Sequence, residues 1–162
     1  RGNRGKGSFS ATVMINKRYG FGFSWKGLVI YLMQLAPNIV WMLAPPANDV
    51  LTLNSSPYPF WDIVEHTLGV FIVVSLILVV SKSGGRSPVF LGAAALMLAA
   101  YYVSWVFYYH GAVNPWLLIL GMAATPPLCF MFAGLWLKND IAAAVSLVFG
   151  AVHVGITCGT YL

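Results

Sequence analysis

"PFWDIVEHTLGVFIVVSLILVV", residues 59–80, gathers Asp62, Glu65 and His66 at its start and then runs to its end without another charge. As a helix it rises about 33 Å at 1.5 Å per residue, enough to cross the roughly 30 Å hydrocarbon core of a bilayer. The predicted span covers about 60–81, and four other stretches of similar character cover about 27–44, 88–109, 115–137 and 141–162. The 162 residues are 59% hydrophobic and 8% charged, against roughly 25% charged in a soluble domain. Too few charges remain to clothe a water-facing surface. The chain reads as an all-α integral membrane protein: one bundle of five transmembrane helices over residues 27–162, preceded by a basic segment, 1–26.

The connections agree with these limits. "KSGGRSP" at 82–88 and "HGAVNP" at 110–115 carry the Gly, Asn-Pro and Ser-Pro signals of turns. "KND" at 138–140 reads as a tight turn in which Asn139 or Asp140 caps the fifth helix. Only 45–62 is a long loop, and its Tyr58, Phe60 and Trp61 suit an interfacial anchor; a lid over an outer cavity is the alternative.

All nine basic residues fall on one side of this plan. Arg1, Arg4, Lys6, Lys17, Arg18 and Lys26 precede the first span, Lys82 and Arg86 follow the second, and Lys138 follows the fourth. The positive-inside rule then predicts a cytoplasmic N-terminus, an external C-terminus and, by the overall pattern, a bacterial cytoplasmic membrane. Basic residues dispersed between hydrophobic segments do not make a nucleic-acid surface. Met14 has the place of a native start, with residues 1–13 either foreign to the natural chain or a basic tail near anionic lipid. A cleaved signal peptide is the competing reading of the first span, but Gln34, Pro37 and Asn38 interrupt its apolar run.

Polar residues three or four apart share a helix face, and each predicted span has one such face. Gln34 aligns with Asn38, Asp62 with Glu65, Tyr101 with Ser104, Gly121 with Thr125, and His153 with Thr157. A shared interior is the economical explanation, because polar side chains seek one another away from lipid. Glu65 and His66 stand about 100° apart on a helix, so they do not point the same way. Glu65 is expected inward, about 7 Å below the outer boundary, and His66 nearer the interface. His153, about 13 Å deep, becomes the expected partner of Glu65. With Asn38 they form the predicted ligand-binding or proton-responsive site, supported by Gln34, Asp62, His66, Tyr101, Ser104, Thr125 and Thr157. The alternative is a plain helix-to-helix hydrogen bond.

Pro37 in the first span, which frees a carbonyl near position 33, and Pro126-Pro127 in the fourth remove backbone donors and are expected to kink or break their helices, which raises the chance of a cavity; the alternative is a kink that neighbouring helices satisfy. Asp62 and His66 have an i, i+4 ligand spacing, but "EHTLG" is not HExxH and no second His or Cys cluster exists, so neither a metal nor a cofactor is expected. Cys129 and Cys158 fall at different depths and should stay unpaired. No GxSxG, P-loop or dinucleotide fingerprint occurs, and no catalytic residue is assigned. Ala151, Gly155 and Gly159 make a small-residue seam for internal packing or for a second membrane protein or copy. The first functional expectation is an outward-facing polar cavity that binds, or binds and transports, a small solute or proton-coupled ligand. A non-catalytic accessory subunit is second, and a membrane-embedded enzyme acting on lipid is third.

Overall fold

The computed structural model describes residues 18–83 and 87–162. Residues 1–17 and 84–86, on which Met14 and part of the basic count fall, lie outside the described residues. Strand β1 (Tyr19–Phe21) leads into helix α1 (Trp25–Leu43), followed by a 3-10 turn (Leu51–Leu53) and α2 (Pro59–Leu78). Strand β2 (Val79–Ser81) and α3 (Pro88–Tyr109) come next; a π-helical segment (Leu117–Ala123) then continues into α4 (Thr125–Trp136), and α5 (Asp140–Tyr161) ends the chain. With the π segment joined to α4, five helices are long and apolar enough to cross a membrane.

The helix boundaries have local causes. Ser24 caps α1 by accepting from the Gly27 amide at 3.2 Å. Pro59 and Pro88 open α2 and α3, where a missing N–H leaves no bond unmade. Asn139 caps α5 by accepting from Ala142 N at 3.0 Å, as the "KND" turn predicts. That turn passes through the left-handed region at Lys138, φ 60°.

Two elements differ from the sequence expectation. Residues 79–81, read as the end of the second span, leave the helix and pair antiparallel with β1, Tyr19 opposite Ser81 and Phe21 opposite Val79. The β-branched Val79-Val80 pair is at home in a strand, and a distant partner decides the matter. The second concerns Pro37, where the helix-breaking reading gives way to its alternative, a proline satisfied by a neighbouring helix: α1 runs through it without interruption. Proline at 37 deprives the Met33 carbonyl of its usual donor, and the Tyr102 hydroxyl of α3 donates to that carbonyl at 2.7 Å. A neighbour satisfies the lost bond, so the helix continues.

The fourth span is interrupted, as Pro126-Pro127 predict. Neither proline offers an N–H to the carbonyls of Met122 and Ala123, and the preceding turn widens so that Ala124 N donates to Ile119 O, five residues back, at 2.9 Å. This span is the hub of the bundle. Of its most apolar stretch 56% is buried, against 17–28% for the other four. It lies between α3 and α5, while α5 also packs on α2 and α1 joins more loosely.

The ends of the bundle are chemically distinct. At one end Lys82 N donates to Arg18 O, Arg18 pairs with Asp140 at 2.6 Å, and the ammonium of Lys26 lies 5.5 Å from the Trp136 ring centre. Arg18, Lys26, Lys82 and Lys138, the basic residues among those described, belong to this end. Asn139 ties it together: buried to 1% exposure, it donates to Ser75 O and Val79 O at 2.7 and 2.8 Å. Gly27 lets α1 approach the end of α2 here, because a Cβ at 27 would collide with the Leu76 carbonyl. At the opposite end the 44–58 loop is bound to α3 and α5.

The core divides in two. Ile72, Leu76, Cys129, Phe130 and Ala133 fill the basic half, and Tyr101, Trp105, Tyr108, Leu118 and Met122 fill the other. Large apolar side chains such as Phe71, Val103, Phe107 and Leu147 stand more than half exposed on the outer faces. Such a surface suits lipid rather than water.

Candidate functional site

A cavity of about 320 Å³ lies in the half of the bundle away from the basic end. Gln34, Asn38 and Trp41 reach it from α1, Tyr101 and Trp105 from α3, Met122 and Pro126 from the broken fourth span, and His153 and Thr157 from α5. Leu51 and Asn54 of the loop also line it. The i, i+3 and i+4 spacing on α1, α3 and α5 is what brings these residues to one space.

Gln34 sits at the middle of α1 and is 3% exposed, yet neither its Nε2 nor its Oε1 has a hydrogen-bond partner in the protein. Asn54 donates through Nδ2 to the Thr157 hydroxyl at 3.3 Å while its Oδ1 is unpartnered. The Trp105 indole N–H lies near the Tyr101 hydroxyl but makes no hydrogen bond of acceptable geometry. These are the unpartnered buried side-chain polar atoms among the described residues, and all of them belong to residues that line this one cavity.

Asn38 donates to the Tyr101 hydroxyl at 2.9 Å, joining α1 to α3 across the wall. His153 Nδ1 hydrogen-bonds Glu65 Oε1, so these two expected partners do meet, 88 positions apart in sequence. Their side chains are 23% and 15% exposed. Phe149 stacks on the imidazole, ring centres 5.1 Å apart and 12° from parallel, and holds it flat against the pair. His153 lines the cavity, but Glu65 lies behind it in a neighbouring groove shared with His66 and Gly69. The carboxylate therefore orients the imidazole from outside the cavity.

The remaining expected residues are placed elsewhere. Ser104 and Thr125 turn inward but bond the carbonyls of Ala100 and Gly121 on their own spans, and they do not line the cavity. Asp62 accepts from the Ser56 amide at 2.9 Å and fastens the loop to the start of α2. His66 is exposed, its Nδ1 donating to the Asp62 carbonyl at 2.6 Å. The i, i+4 spacing of Asp62 and His66 thus serves a backbone hydrogen bond. Pro126 borders the cavity, whereas Pro127 faces α5 near Gly150. The seam of Ala151, Gly155 and Gly159 makes no contact among the described residues that needs glycine at 155 or 159. A Cβ at either position would meet nothing within 4 Å, and the seam borders an outer groove with Pro57 and Trp61.

Sequence reasoning missed the knot that holds the loop over the cavity. Asp49 Oδ1 accepts from the Tyr108 hydroxyl at 2.5 Å, Trp41 Nε1 at 3.1 Å and Leu51 N at 3.0 Å. Tyr108 in turn accepts from Val50 N at 2.8 Å, and Tyr161 donates to Val50 O at 2.7 Å. Burial works to raise the Asp49 carboxyl, but the bonds from Tyr108, Trp41 and Leu51 outweigh it and hold the group below its usual range. A lone Asp among loop prolines and asparagines carries no signal of such partners. No protein-family model matches the chain, and neither a curated protein nor a solved structure is significantly similar to it.

Proposed function

We propose that this is a polytopic membrane protein whose cavity faces the outer side of the bilayer and binds a small polar solute. The observation that supports this most directly is Gln34, an amide buried in mid-helix with both polar atoms unpartnered and on the cavity wall. An unsatisfied buried amide is costly, and a ligand that completes its hydrogen bonds removes that cost. Asn38 and Tyr101 would position the solute, and the Glu65–His153 pair would make binding sensitive to protonation. A transporter would use the same cavity, with the loop around Asp49 as the element that moves. The basic end would face the cytoplasm of a bacterial cell, with the N-terminus there and the C-terminus outside.

Two measurements test this reading. Protein purified from its own membrane and denatured should release a small molecule identifiable by mass spectrometry, in near-stoichiometric amount and depleted in Gln34→Met. Glu65→Gln should shift the pH dependence of its retention. Recovery of no small molecule from wild type, or equal recovery from both proteins, would remove Gln34 from the site. For orientation, Ser83→Cys in a Cys158→Ser background should react with an impermeant thiol reagent only after the cells are opened; labelling of intact cells would invert the topology.

The accessory-subunit reading keeps one specific observation in its favour. Gly155 and Gly159 face open space on a membrane-spanning helix, where a close helix approach from another protein would fit. A stoichiometric protein partner retained through gentle purification, and lost in Gly155→Leu, would support that reading instead.

A further inference from the structure

We infer that the cavity takes a flat, neutral molecule that presents a hydrogen-bond donor and acceptor side by side, as a primary carboxamide or a lactam does. This rests on the ligand-binding reading above. Gln34 offers amide N–H donors and a carbonyl acceptor in one rigid plane, and neither end is used within the protein. The group that satisfies both ends at once is another planar group with an acceptor and a donor on one edge. Asn54 Oδ1 adds an acceptor and Trp105 Nε1 a donor on other walls, so the cavity is not specialised for donors or acceptors alone.

Charge argues for neutrality. Among the described residues no Lys, Arg, Asp or Glu lines the cavity, and His153, the imidazole on its wall, is already paired with the Glu65 carboxylate behind it, so a proton on that ring is matched by a charge within the protein. An ionic ligand would bring a charge without a counter-charge into a low-dielectric interior, which is strongly unfavourable. Shape argues for flatness. The rings of Trp41, Tyr101, Trp105, Phe130 and Phe149 supply apolar walls, and aromatic faces pack well on planar groups. The volume of about 320 Å³ is at the small end of the roughly 300–1,000 Å³ typical of ligand sites and about twice the roughly 150 Å³ that holds a single benzene, so the occupant has room for one ring with its amide and a second small group.

The full chain in lipid nanodiscs should be titrated with benzamide, N,N-dimethylbenzamide and benzoate by equilibrium dialysis. Benzamide should bind saturably and at least tenfold more tightly than the other two, which lack the neutral donor–acceptor edge. In Gln34→Met that preference should fall below threefold, with a thermal midpoint no lower than wild type, so that misfolding is not the cause. Equal affinity for benzamide and its dimethyl analogue, or a preference retained in Gln34→Met, would overturn the amide inference and leave the cavity reading intact. Binding of none of the three calls for Met122→Cys in a Cys158→Ser background, treated with a small methanethiosulfonate. Reaction of the thiol introduced at position 122 would then overturn the amide inference alone, and protection would overturn the cavity reading with it.

Discussion

Gln34, buried, and Asp49, half-buried in the loop, show how two polar groups in one protein reach opposite conditions. Gln34 has no protein partner at either end, so replacing it with the near-isosteric, apolar Met removes an orphan costing about 1–3 kcal/mol. The unliganded Gln34→Met protein is therefore expected to melt higher, by about 2–4 °C for each kcal/mol recovered. A lower midpoint in the same detergent would mean that the amide is satisfied after all. Asp49 is instead over-satisfied, with three donors on one carboxylate oxygen. Its folded-state proton affinity lies below the ordinary carboxyl value of 3.8. The carboxylate knot therefore stabilises the loop at all pH above the unfolded value and loses that contribution as pH falls through the folded one. Trp41 emission should report an acid transition below about pH 4 that is absent in Asp49→Asn, and the same transition in that variant would assign it to another group.

At the scale of single elements, Pro37 and Asn139 make the clearest tests, because each has a partner from another helix. Tyr102→Phe leaves the Met33 carbonyl without a donor and should cost about 1 kcal/mol. Adding Pro37→Ala restores an N–H at position 37, so the double variant should recover most of that loss. Additive losses would show that the hydroxyl does not act through this carbonyl. Asn139→Ala removes a helix cap and two bonds to the end of α2. The expected loss is about 3 kcal/mol, from a cap worth about 1 kcal/mol and two buried carbonyls left unpaired. Asn139→Asp keeps the capping oxygen and loses the donors, and should fall between wild type and Asn139→Ala; a wild-type midpoint for Asn139→Ala would contradict the bridging role.

Across the whole molecule, the legible part of the fold was what depends on local composition. The third helix has the limits that Pro88 and the Gly111 turn announce, and Gln34, Tyr101, Ser104, Thr125 and Thr157 of the polar stripes are buried, whereas Asp62 stays at the loop. The β1–β2 pair, the Tyr102 bond to Met33 and the Asp49 knot depend on residues about 60 positions apart, and no periodicity marks such partners. Glu65 and His153 were foreseeable as a pair because charged groups in a span have few neighbours to choose from, whereas the placement of Glu65 behind the cavity required the packing of Phe149. The small-residue seam sets the last test at this scale. Ala151, Gly155 and Gly159 were compatible with internal packing or with an outer contact, and the open space beside both glycines places them on the outside of the single chain. A Cβ at 155 or 159 meets nothing within 4 Å, the groove beside it leaves room for a longer side chain, and leucine exchanges a poor helix former for a good one, worth up to about 1 kcal/mol. Gly155→Leu should therefore leave the monomer's thermal midpoint equal or higher, and any stoichiometric partner or second copy seated on the seam should be lost from the mass of the purified particle. A midpoint depressed by several degrees with no change in mass would show instead that the seam is packed within the chain.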